Sequence, residues 1–230
     1  MFGSTLACLI AGILLAAAMP TASQKTNTVE IKDEPHHHLR FENEFVRVWE
    51  TALPEGEATL WHRHNFDNLA VTIGDAKLRI EPLEGAPAES ETKMGDVAFR
   101  SASYVHRALN IGQSAYINLL VEFLKPPAGR PNPIQSKDEN GRKPILENDR
   151  VRVYRLSLAS GESIPMHSHP YRGLVVTLWP AEIEVKTANI KKVQRFKIDG
   201  AEVRWRPGPV THSIRNVGKT RFEGVDIELK

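Results

Sequence analysis

Apolar and polar residues alternate along much of the chain. Val46 and Val48 alternate with polar neighbours, as do Leu69, Val71 and Ile73, and then Leu78 and Ile80. Ala115, Ile117, Leu119, Val121 and Phe123 form a longer run of the same kind. The pattern returns at Val151/Val153, Leu174/Val176/Leu178 and Ile183/Val185. A period of two, broken every 8–12 residues or so by Gly, Pro and Asn, predicts short antiparallel strands closed into a sandwich or barrel. No convincing amphipathic helix is found between the N-terminal segment and the end of the chain.

The strands come in two sets. FENEFVRVWE, from Phe41, reappears as LENDRVRVYR from Leu146, an offset of 105 positions. The same offset carries Gly56 onto Gly161, His62 onto His167 and His64 onto His169. With one inserted residue, His106 lands on His212 and Asn110 on Asn216. The chain is therefore read as two units of ordinary domain size. The expected boundaries are a signal peptide at 1–23, a first barrel with an N-terminal arm at 24–124, a Pro- and Gly-rich linker at 125–144, and a second barrel at 145–230. Residues 24 to about 40 read as a loosely ordered polar arm.

Composition narrows the partners. The formal net charge is +2, so nothing marks a nucleic-acid-binding surface. The first 24 residues carry no charged side chain, and Leu6–Ala18 is an apolar run of secretory-signal length, too short to span a bilayer. It lacks the usual preceding Lys or Arg. Small residues offer cleavage after Ala18 or Ser23, which predicts a periplasmic or secreted protein with no stable membrane insertion. The one cysteine, Cys8, lies inside this segment, so the mature chain would hold none. Sites built from histidine and not from thiolate suit an oxidising compartment.

Six of the nine histidines occupy the repeated positions; the others are His36, His37 and His38. In a strand, residues two apart face the same way, so His62 and His64 converge, as do His167 and His169. On a helix each pair would diverge by about 200°. A third imidazole from a later strand, His106 or His212, can complete a three-nitrogen face. The counterpart of His36–His38 is Gly141-Arg142-Lys143. That histidine run reads either as a solvated arm or as a flap lending an imidazole to a barrel mouth.

The spacing resembles the cupin superfamily of small β-barrels. Its first motif is Gly, five residues, His-x-His, three or four residues, Glu, six residues, Gly. Here Gly56, His62, His64 and Gly74 follow that spacing within one residue, with Asn68 in place of Glu. The second motif is matched by Gly95, His106 and Asn110, with Ser101 and Ser103 replacing its Pro and Gly. The second unit repeats the case with Gly161, His167, His169, Pro207, His212 and Asn216, and with Gly173 at the Glu position. The resemblance implies an all-β chain of two tandem cupin (jelly-roll) barrels. It implies three-His metal sites at His62, His64, His106 and at His167, His169, His212. Neutral imidazoles suit Fe, Zn, Cu or Ni, with Fe favoured, and three donors leave an open position.

Three-His iron cupins that resemble this arrangement include thiol dioxygenases and diketone-cleaving dioxygenases. Some thiol dioxygenases carry Gly at the Glu position, as at Gly173. The first expectation is accordingly a dioxygenase-type oxidoreductase on a small chelating substrate. The alternatives are a metal-dependent isomerase, epimerase or lyase on a sugar-like acid, and a ligand-binding protein without chemistry. Tyr104 and Tyr171, each two residues from a proposed ligand, are the candidate catalytic residues. Arg63, Arg107 and Arg172 are candidate anion contacts, and Asp67 is a possible oxygen ligand. Asn110 and Asn216 either support the third His or begin a turn. A homodimer is plausible by resemblance.

Overall fold

The computed structural model describes residues 27–126 and 141–230. The segment read as a signal peptide lies outside the described residues, as does most of the linker. The first unit runs β1 (Val29–Glu30), β2 (His37–Glu42), β3 (Val46–Leu53), β4 (His62–His64), β5 (Asn68–Thr72), β6 (Ala76–Pro82), β7 (Ala88–Thr92), β8 (Val97–Arg100), β9 (Tyr104–Asn110) and β10 (Tyr116–Phe123). The second runs β11 (Arg142–Glu147), β12 (Val151–Leu158), β13 (Ser163–His169), β14 (Gly173–Thr177), β15 (Ala181–Thr187), β16 (Gln194–Ile198), β17 (Glu202–Arg206), β18 (Val210–Asn216) and β19 (Phe222–Leu229). Strand β11 begins three residues inside the segment read as linker. Among the described residues the only helical element is a 3₁₀ turn at Ile31–Asp33, and no helix is long and apolar enough to cross a membrane.

Each unit is a pair of sheets. In the first, β1-β4-β9-β6-β7 faces β2-β3-β10-β5-β8; in the second, β13-β18-β15-β16 faces β11-β12-β19-β14-β17. Strand for strand the orders match, except that β1 is extra. It pairs parallel to β4, Val29 opposite His62.

The alternating apolar residues do not mainly fill the barrels. Val46, Val48, Leu69, Val71, Leu119 and Val121 form one buried cluster with Val151, Val153, Leu174, Val176, Val225 and Ile227. These are the same positions of the two repeats, so equivalent sheets meet back to back and each buries both of its faces. Polar contacts frame the joint: Arg150 Nη2 donates to the Phe123 carbonyl (2.9 Å), and Trp205 stacks on Phe45 at 5.9 Å between ring centres. The barrel interiors are closed by smaller clusters, Leu53, Ala76, Leu78, Ala108 and Tyr116 in the first, and Leu156, Leu158, Ile164, Ile183 and Phe222 among others in the second.

From residue 27 onward the N-terminal arm is built into the first barrel, contrary to its polar composition. Its carboxylate Glu34 is 1 % exposed and accepts hydrogen bonds from the backbone N–H of Leu60 (3.1 Å) and of His36 (2.9 Å). Beyond it, His37 enters β2 opposite Thr51 and is buried. Burying a charge and an imidazole requires partners, and this arm finds them on the barrel it covers.

Asn110 and Asn216 are fully buried and hold turns. Asn110 donates to the carbonyls of Leu53 (3.0 Å) and Ser114 (2.7 Å) and accepts from Gly112 N–H (3.0 Å). Asn216 repeats this with Leu158, Thr220 and Gly218. Ser103, at the motif's Gly position, keeps the left-handed backbone that glycine favours (φ 68°).

Candidate metal centres

Two trios of imidazoles converge where the sequence pattern places them. In the first barrel β4 lies antiparallel to β9, with His62 opposite His106 and His64 opposite Tyr104. Residues directly opposite share a face, so all four rings point inward while Arg63 points out. His106 Nε2 lies 3.1 Å from both His62 Nε2 and His64 Nε2. In the second barrel His167 is opposite His212, after a bulge in β13 that shifts the register between Ile164 and His167. His169 Nε2 there lies 2.9 Å from His167 Nε2 and 3.0 Å from His212 Nε2.

These trios fit a metal ion. Three nitrogens each about 2.1 Å from one point, at right angles, would sit about 3 Å apart. The outer ring nitrogens explain the rest. His62 Nδ1–H donates to the Leu60 carbonyl (2.8 Å), His167 Nδ1–H to the Pro165 carbonyl (2.8 Å), and His169 Nδ1–H to Glu228 Oε1 (2.7 Å). That fixes the tautomer, leaving Nε2 as a lone pair aimed at the centre. Facing lone pairs at 3 Å repel unless a cation lies between them.

Burial favours the neutral form of the three rings in the first barrel and of His167 and His212 in the second. It lowers the pKa of His62 to about 4, with His37 adding to the effect, and that of His106 to about 2, with His62 adding. His64 is pushed down further by burial and by His106. In the second barrel burial and His169 bring His212 to about 3, and burial lowers His167. Neutral imidazole is the form a metal requires, so no proton need be displaced at neutral pH.

Neither Glu position supplies a carboxylate. Asn68 is fully buried, accepts from the Tyr104 hydroxyl (3.1 Å) and donates to the Phe66 carbonyl (3.0 Å). At Gly173 a Cβ would lie 2.2 Å from the Ile227 carbonyl oxygen and 2.7 Å from Arg206 Nη2, so no side chain fits. Asp67 is turned away from the trio: its oxygens accept from Ala102 N–H (2.9 Å) and face Arg150 of the second barrel (3.3 Å).

Surroundings separate the two centres. The first opens into a cavity of about 620 Å³ lined by His37, Thr51, Ala70, Arg100, Tyr104, Asn118 and Leu120 among others. Tyr104 stacks on His64 at 4.5 Å, and burial pushes its phenol up to about 12. His37, whose ring is 4.8 Å from that of His62, is held at Nδ1 by Glu34 Oε2 (2.5 Å). Burial raises the Glu34 pKa, but the contacts with His37 and two backbone amides outweigh it and hold the carboxyl below its usual range. Two buried polar atoms of the cavity wall, Thr51 Oγ1 and Asn118 Oδ1, have no partner among the described residues.

The second centre is backed by charge. Asp226 pairs with Arg206 Nη1 (2.8 Å) and Arg142 Nη2 (3.3 Å), and Glu228 accepts from Arg142 Nη2 (2.9 Å) as well as from His169. Arg142, Asp226 and Glu228 are all buried. Their counterparts in the first barrel are His37, Leu120 and Glu122. Tyr171 lies in the turn between β13 and β14, half-buried, and the residue opposite His169 is Val210 and not an aromatic.

Some participants were not singled out from sequence. Arg142, Asp226 and Glu228 lie far from the histidine motifs, Arg100 is one of the unspecified residues between Gly95 and His106, and Glu34 precedes the His36–His38 run. A signal existed for three of them. Acids interrupt the apolar strand LLVEF of the first unit and VDIEL of the second, and Arg142 is the repeat counterpart of His37. The arginines that were singled out are engaged elsewhere. Arg63 is half-exposed beside Glu30, Arg107 bonds Glu81 (2.5 Å), and Arg172 covers Phe45 at 3.6 Å.

No family model matches this chain, and no curated protein matches it in sequence. Solved structures match its fold. AerE from Microcystis aeruginosa superposes with a TM-score of 0.61 at 12% identity, over 86% of this chain and 98% of that one. Oxalate decarboxylase from Bacillus subtilis gives 0.60 at 12% identity, over 86% and 74%. A cupin 2 conserved barrel domain protein from Leptotrichia buccalis gives 0.53 at 14% identity, over 84% and 88%. The chain has the cupin fold, as two barrels in tandem. Each barrel holds a histidine trio arranged as a possible site for a divalent metal.

Proposed function

We propose that this protein is a metal-dependent enzyme acting on a small chelating molecule inside the first barrel. One observation carries the reading: three neutral, inward-facing imidazoles open into a cavity of about 620 Å³, within the size range of small-molecule sites. His62, His64 and His106 would hold the ion, and His167, His169 and His212 a second one. When bound, a divalent transition metal with three protein donors supplies open positions and Lewis acidity, and a redox metal such as iron also supplies oxygen chemistry. Cu, Ni and Zn suit the same nitrogen set. Without a carboxylate ligand the first centre favours an anionic chelating substrate, and for that reason a dioxygenase-type oxidoreductase is our first reading.

The chain's own groups have definite roles in it. Tyr104 remains a protonated phenol at neutral pH, and by turning its one hydrogen from Asn68 Oδ1 it can donate to a bound oxygen atom. His37, oriented by Glu34, can take or give a proton at the cavity wall. Ala70, Leu78, Ile80 and Leu120 line the same space and limit water. An export segment at 1–23 would place this chemistry in the periplasm or outside the cell.

The Glu34–His37 pair favours a second reading, an isomerase, epimerase or lyase in which that pair transfers protons. Mn(II) centres are described for the Bacillus subtilis oxalate decarboxylase, which shares the fold.

Elemental analysis, oxygen uptake and turnover of a chelating-acid library test these readings together. His62→Ala should lose one ion and all turnover; His167→Ala should lose the other ion and keep turnover. Uptake of oxygen in step with product selects the oxygenase, and product without uptake selects the second reading. Full turnover by metal-free protein overturns both.

A further inference from the structure

The two barrels differ at one pair of equivalent positions, and the difference identifies a ligand group. Arg206 closes β17 opposite Gly173, and its guanidinium is neutralised by the buried carboxylate of Asp226 at 2.8 Å. Arg100 closes β8 opposite Asn68, at the same place in the first barrel. The position equivalent to Asp226 is Leu120, whose side chain lines the cavity beside Arg100. Arg100 therefore has no carboxylate partner among the described residues. Glu122, the nearest acid by strand row, is taken by Trp49 Nε1 (2.8 Å) and lies 3.6 Å from Arg47.

We propose that Arg100 is the anchor for a carboxylate group on the molecule bound in the first barrel, occupying the role that Asp226 fills internally in the second. This rests on the reading of the first barrel as the reacting site and specifies its substrate class, small carboxylic acids. The guanidinium fork matches a carboxylate through two parallel hydrogen bonds. A partly enclosed cavity wall strengthens such bonds relative to water. Arg100 also acts electrostatically on His64, His106 and Tyr104, which places its charge close to the trio. A carboxylate held there would point the rest of a small acid toward the imidazoles, with Tyr104 alongside. In the second barrel Asp226 already neutralises the arginine at Nη1, and its Nε and Nη2 are buried away from solvent.

The test is calorimetric binding of glycolate, malonate and benzoate to the full-length protein, each against its neutral amide and with inorganic phosphate as a separate arm. Zinc-loaded and metal-free samples are run in parallel. Wild type should prefer at least one carboxylate over its amide by tenfold or more. Arg100→Met should weaken that carboxylate by about tenfold to a hundredfold, the usual loss for a charged hydrogen-bond pair, while leaving its zinc content unchanged. Leu120→Asp supplies the internal carboxylate that the second barrel has, and should suppress binding to a similar degree. Equal affinities in wild type and Arg100→Met, or a wild type that takes phosphate and none of the acids, overturns the assignment. A wild type that binds no zinc sinks the metal reading instead, and the metal-free samples then still decide the role of Arg100.

Discussion

Replacing Asp226 by Asn should destabilise the second barrel in a manner that depends on pH. The carboxylate is 2 % exposed and faces two guanidinium groups, Arg206 at 2.8 Å and Arg142 at 3.3 Å. At such separations each pair is worth about 5–6 kcal/mol at an effective dielectric of about 20, offset in large part by the cost of desolvating three charges. Removing the carboxylate leaves the Arg206 guanidinium without its counter-charge, while Arg142 keeps Glu228 at 2.9 Å, at a typical cost of about 3–5 kcal/mol. For a chain of this length that lowers the melting temperature by about 10 °C. Burial alone would raise the carboxyl pKa, but Arg206, His169 and Arg142 outweigh it and hold it well below the usual range. A depressed acid contributes its full stability above its unfolded pKa of about 3.9, and the contribution falls as pH drops toward the folded value. The gap between wild type and Asp226→Asn should hence be constant from pH 7 to about 5. Below about pH 4 it should shrink by up to about 1.4 kcal/mol per pH unit. Urea denaturation followed by far-UV circular dichroism, repeated from pH 7 to pH 3, measures both quantities. A gap under about 0.5 kcal/mol at pH 6, or one that stays level to pH 3, refutes the argument.

Three further outcomes follow from named contacts. Gly173→Ala should cost about 3 kcal/mol or more, since its Cβ would press on a ladder carbonyl at 2.2 Å, whereas Gly208→Ala, with nothing within 4 Å, should change little in the same thermal melt. Ser103→Gly should raise stability by about 0.5–1 kcal/mol by relieving a left-handed serine (φ 68°), and an unchanged or lower melting temperature counts against that strain. Chelator-treated protein should lose stability as pH falls from about 6.5 toward 4, because the unfolded chain takes up protons that buried His62 (about 4) and His212 (about 3) refuse. A flat melting temperature over that window, with metal removed, contradicts the neutral-trio argument.

Much of this protein is written in local spacing. His-x-His on a strand dictates convergence whatever surrounds it, because side chains of period two share a face. Duplication at a fixed offset then dictates two such centres and two like folds. What spacing does not encode is which face of a strand meets which partner. Val46, Val48, Leu119 and Val121 read equally well as barrel lining or as a joint between barrels, and they are the joint. The arm from Glu34 to His37 reads as solvated because its polar groups find their partners at a distance in sequence, on Leu60 and beside His62.

The same limit applied to charge. Arg63, Arg107 and Arg172 sit next to the motifs in sequence yet bond or stack away from the cavity, while Arg100, nearer no ligand in the chain than they are, lines it. Nothing local distinguishes Arg100 from Arg206 either. The side chain across the sheet, Leu120 in one barrel and Asp226 in the other, decides which guanidinium meets a carboxylate. Sequence by itself determined the strands and the paired imidazoles, since these depend on neighbours one to four residues away, and the repeat, since it is a direct match of one stretch with another. Tertiary structure decided which faces pack and which charges pair, since these depend on strands brought together from 20 to 84 residues apart (Arg206 on Asp226, Glu228 on His169, Arg142 on Asp226).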